Sequence, residues 1–158
     1  MGFSTFSGPL RSGTNKDRPE DNTGLVVLAQ QAVISFEDTT ATELFRLPAG
    51  SLLLDVTFLV TEQFDAGTNN SITVRTKDAS PVTLSSVVET GGTIDPGMAG
   101  TFANTADSRS LYANTGTKDL VVEGLYAGTG TAATTGSAIV TCLYVQRSPE
   151  GLTAPATA

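Results

Sequence analysis

Apolar and polar residues alternate most regularly between Ser51 and Thr61. Leu52, Leu54, Val56, Phe58 and Val60 occupy every second position. In an extended strand these five side chains share one face. The other face takes Ser51, Leu53, Asp55, Thr57, Leu59 and Thr61. A helix would scatter Asp55, Thr57 and Thr61 among the apolar set, so the spacing predicts a strand with one face in a core. Burying five such side chains is worth at most on the order of 10 kcal/mol, comparable with the net stability of a whole domain.

The same pattern recurs along the chain. Leu25 to Gln30 and Ala32 to Phe36 read as two strands, or as one long strand with a break near Gln31. Thr42 to Leu47 follows, and Pro48-Ala49-Gly50 turns the chain into the Ser51 strand. After it, Asp65, Gly67, Asn69 and Asn70 form a turn-rich loop, and Ser71 to Thr76 alternates again, so the two strands are expected to form a long-looped hairpin. Pro81 to Glu89 reads as a strand, with a short helix as its competitor. Gly91 to Gly100 is a glycine-rich loop without periodicity, the kind that serves function or assembly or is merely mobile. Ser110 to Ala113, Asp119 to Tyr126 and Ala138 to Arg147 are the remaining strands. The last has apolar residues on both faces: Ile139, Leu143 and Val145 on one, Ala138, Val140, Cys142 and Tyr144 on the other. That predicts a central strand, or one whose second face lies in a subunit interface, with Val140, Cys142 and Tyr144 as the candidate interface residues.

About eight strands without a strong helix predict an all-β, single-domain β-sandwich of jelly-roll or Greek-key type. Residues 25–147 form the sandwich domain. Residues 1–24, punctuated by Gly2, Gly8, Pro9, Gly13, Pro19 and Gly24, read as an extended N-terminal arm whose Phe3, Phe6 and Leu10 could dock on a neighbour. Residues 148–158 read as a flexible Pro/Ala/Thr tail.

Composition narrows the function. Charged residues make up 16% of the chain, well below the usual quarter, and Thr, Ser, Asn and Gly supply the polarity. Such a surface suits subunit contacts, and equally an ordinary β-protein with a Thr-rich exterior. The net charge of −7 and the scattered basic residues argue against nucleic-acid binding. The N-terminus lacks the continuous apolar run of a signal peptide, and no stretch reads as a membrane helix.

Chemistry is sparse. With no histidine, the Ser-His-Asp arrangement cannot be built. Lys16, Lys77 and Lys118 lie in no Ser-Lys motif. The single cysteine, Cys142, reads as a buried structural thiol. The glycine-rich segments lack the Gly-Lys-Ser/Thr ending or the following helix of a phosphate loop. Asp65, Asn69 and Asn70, or Asp95 and Asp107, offer oxygen donors of the type calcium uses. They lack a calcium loop's alternation, and Asp and Asn equally shape turns. No catalytic residue, metal ligand or cofactor is assigned, and the chain reads as a non-enzyme.

Several segments resemble small structural proteins of tailed bacteriophages. These are the arm from Phe6 to Gly13 (Phe-Ser-Gly-Pro-Leu-Arg-Ser-Gly), the segment from Leu44 to Gly50 with its Leu-Pro-x-Gly turn, the Phe-Asp-Ala-Gly-Thr loop from Phe64 to Thr68, and the closing Leu143 to Arg147. The chain is similar to the capsid decoration, or cement, class. That resemblance implies a β-rich homo-oligomer, most often a trimer. It would be made in the host cytoplasm and placed on the capsid exterior, where it stabilises the head by bridging capsomers of the major capsid protein. Phe3, Phe6, Leu10 and Arg11 are the expected assembly-arm residues, gaining from several weak contacts at once. The alternative is a receptor- or glycan-binding module of a tail or head fibre, stacking sugars on Tyr112, Tyr126 or Tyr144.

Overall fold

The computed structural model describes residues 11–12, 24–25, 27–103, 105, 108, 111 and 115–145. It contains β1 (Arg11–Ser12), β2 (Gly24–Leu25), β3 (Val27–Ser35), β4 (Thr42–Leu47), β5 (Leu52–Glu62), β6 (Asn69–Thr76), β7 (Thr83–Thr90), β8 (Ala99–Gly100), β9 (Leu120–Thr129) and β10 (Ser137–Val145). Two four-stranded antiparallel sheets run in the orders β3-β10-β5-β8 and β4-β9-β6-β7, and β1 pairs with β2.

The connectivity is nested. From β3 onward, the first strand pairs with the last (β3 with β10) and the second with the seventh (β4 with β9). The third pairs with the sixth (β5 with β8) and the fourth with the fifth (β6 with β7). That is one long hairpin of four strand pairs. Rolling it up adds the β10–β5 and β9–β6 ladders and closes it into two facing sheets. The result is a jelly-roll β-sandwich, the first of the two topologies expected.

The sheets meet over Ile34, Leu47, Leu53, Val56, Phe58, Val60, Phe64, Ile72, Val74, Leu84, Ile94, Val122, Tyr126 and Val140, all buried. Phe64 and Tyr126 pack with ring centroids 4.8 Å apart. Among the described residues, no buried side-chain nitrogen or oxygen lacks a hydrogen-bond partner.

The structure corrects four local expectations. The alternation of β5 holds from Val56 to Val60 but not at its start, where Leu53 is fully buried and Leu52 and Leu54 are half-buried. The β10–β5 register slips there, Leu143 facing Asp55 and Tyr144 facing Leu53, so one extra β5 residue bulges out and re-phases the strand. Three consecutive leucines fit either phase. Second, β5 and β6 do not form a hairpin but lie in different sheets. The segment between them carries Phe64 and Ala66 into the core, and Phe64 bridges Ile94 through two backbone hydrogen bonds of 3.0 and 3.2 Å. Third, β3 runs through Gln31 unbroken, while Thr83–Thr90 forms the strand expected there and not its helical competitor. Fourth, Leu111 is helical, not extended.

Candidate interaction surface

The polar groups singled out as candidate ligands serve the loops. The Asp65 carboxylate accepts from Thr134 N and Oγ1 at 2.7 Å each and from Thr135 N at 3.1 Å. These donors, the Thr134 hydroxyl foremost, hold its pKa below the usual carboxylate value. Asp95 accepts from Gln63 Nε2 at 2.7 Å and from Thr93 Oγ1 at 2.8 Å, with a pKa lowered in the same way, Gln63 contributing most. Asn69 Oδ1 accepts from Gly91 N. Asn70 is fully buried and makes four hydrogen bonds. Asp107 lies outside the described residues.

Of the residues assigned to an interface, Val140, Cys142 and Tyr144 point into the sandwich, where all three are buried. Tyr144 Oη accepts from Gln30 Nε2 at 2.9 Å. Their face of β10 is therefore covered by the opposing sheet. Tyr126 is buried as well, while Tyr112 lies outside the described residues, as do Phe3, Phe6 and Leu10. The backbone of Arg11 pairs with Leu25.

Burial pushes the Cys142 thiol up to about 12, with nearby Asp55 adding to the effect. Native protein should therefore leave a thiol reagent unconsumed at mildly alkaline pH, and guanidinium-unfolded protein should react fully; rapid native labelling would contradict this placement. The unfolded chain ionises this thiol near ~8.5. The folded state favours the neutral thiol, so its contribution to stability is complete below that value and is lost as pH rises toward 12.

The other face of β10 is the exposed one. Ile139 pairs with Val33 of β3 and with Leu59 of β5, and Leu59 pairs with Ala99 of β8. The four side chains lie in one row across the outside of the sheet, roughly 15 Å long at the usual strand spacing. Val33 is 57% exposed, Leu59 49% and Ile139 36%, and Ala99 is exposed. Beside this row lies an uncharged polar one, Gln31–Thr141–Thr57, in which Gln31 Nε2 donates to Thr141 Oγ1 at 3.1 Å.

The second sheet is decorated differently. There Glu43 pairs with Glu123, which pairs with Arg75. Arg75 Nε donates to the nearly buried Glu123 at 2.9 Å, and Arg46 holds Glu43 at 2.9 Å. One outer face is thus charged and internally paired, and the other presents an apolar row in neutral surroundings. The second has the depletion of charge found at the centre of protein–protein contacts.

No protein-family model and no curated protein matches the chain. Its fold has solved counterparts. A chain of the cyanophage Pam1 capsid asymmetric unit superposes with a TM-score of 0.51 at 16% identity, over 90% of this chain and 96% of that one. A chain of the acid-stable capsid of Helicobacter pylori bacteriophage KHP30 aligns at a TM-score of 0.48 and 18% identity, over 77% and 88%. The Pam1 chain shares the jelly-roll fold through almost its whole length.

Sequence reasoning missed the Val33–Ile139–Leu59 row. Its signal was Leu59, an apolar residue among Asp55, Thr57 and Thr61 on the polar face of β5. Joining it to Ile139 and Val33 requires the pairing register.

Proposed function

We propose that this protein is a structural component of a phage virion. More specifically, we read it as a capsid decoration protein that sits on the shell exterior as a homotrimer and bridges neighbouring capsomers of the major capsid protein. The observation that carries the reading is the jelly roll common to this chain and the Pam1 capsid chain, combined with the uncharged apolar row on its β3-β10-β5-β8 face. The near-complete mutual coverage makes the Pam1 chain about as long as this one, so that shell contains a component of this size and fold. A small sandwich whose one outer face has a neutral, partly apolar centre and whose other face is charged is suited to lying flat between larger subunits and water.

The test is co-sedimentation of purified protein with shells assembled from major capsid protein alone, alongside the solution mass. Trimers that sediment with shells are expected. Leu59→Glu and Ile139→Glu should leave the melting temperature nearly unchanged, because both side chains are substantially exposed. They should weaken shell binding at least about tenfold, the effect of removing ~1.4 kcal/mol from a contact centre. A persistent monomer that ignores the shells would sink the reading.

A further inference from the structure

We draw no further inference here: the strongest candidate, the exposed Val33–Ile139–Leu59–Ala99 row across the outer face of the β3-β10-β5-β8 sheet, belongs to the surface already described, and nothing in the structure shows what covers it.

Discussion

Replacing Asn70 by alanine is expected to destabilise the protein by roughly 3–5 kcal/mol, a large share of the 5–15 kcal/mol that holds an ordinary domain together. Asn70 is fully buried at the start of β6, and its amide uses both ends. Oδ1 accepts from Ala66 N at 3.1 Å and from the Tyr126 hydroxyl at 2.5 Å. Nδ2 donates to Ala66 O at 3.0 Å and to Gly92 O at 2.8 Å. One side chain thus ties the β5–β6 crossing, the loop after β7 and β9 into a single buried network. Alanine would strand four partner groups, at about 1–3 kcal/mol for each that water cannot reach. Tyr126→Phe removes one of the four bonds and should cost only about 1–2 kcal/mol. Chemical denaturation of both variants checks the order. Equal losses would mean that the Tyr126–Asn70 bond alone carries the effect and the three backbone contacts add little.

The same residue shows how far the sequence could be read. Asn70 was legible as a turn former; it stands instead at the start of β6, its side chain bonding back to Ala66 in the preceding loop. Its burial was not legible, because burial depends on the chain crossing between sheets at Phe64 and Ala66 rather than reversing within one. Alternation marked most of the strands, since a period of two follows from strand geometry alone. It says nothing about which strand pairs with which, so β5 and β6 read as a hairpin. The phase of β5 was open at Leu52-Leu53-Leu54, and the bulge opposite Leu143 and Tyr144 decides it. The double apolar character of β10 fits its place inside its sheet, between β3 and β5. The structure reverses the roles of its two faces: Val140, Cys142 and Tyr144 fill the core, and Ile139 faces outward with Leu59 and Val33.

Those pairings also place Phe58 opposite Gly100, where the second large effect is expected. Phe58 is almost wholly buried, and its ring lies over the glycine. A Cβ added at Gly100 would stand 2.0 Å from Cε1 and 2.4 Å from Cζ of that ring. Phe58→Ala should cost about 3–5 kcal/mol for the lost burial and the cavity left between the sheets. Gly100→Ala should cost about 1–3 kcal/mol for the opposite reason, since the ring must leave its position or the two-residue β8 must leave β5. The two costs share one cause. In the Phe58→Ala background the ring is gone, and Gly100→Ala should become nearly neutral. A double-mutant cycle by urea denaturation should therefore show the double variant more stable than the sum of its parts by about 1–3 kcal/mol. Strict additivity would mean that the ring and the glycine do not meet. Because β8 is the far edge of the sheet bearing the Val33–Ile139–Leu59–Ala99 row, the Gly100→Ala variant should also lose Ala99 from that row while the other three remain, separating the edge of the surface from its centre.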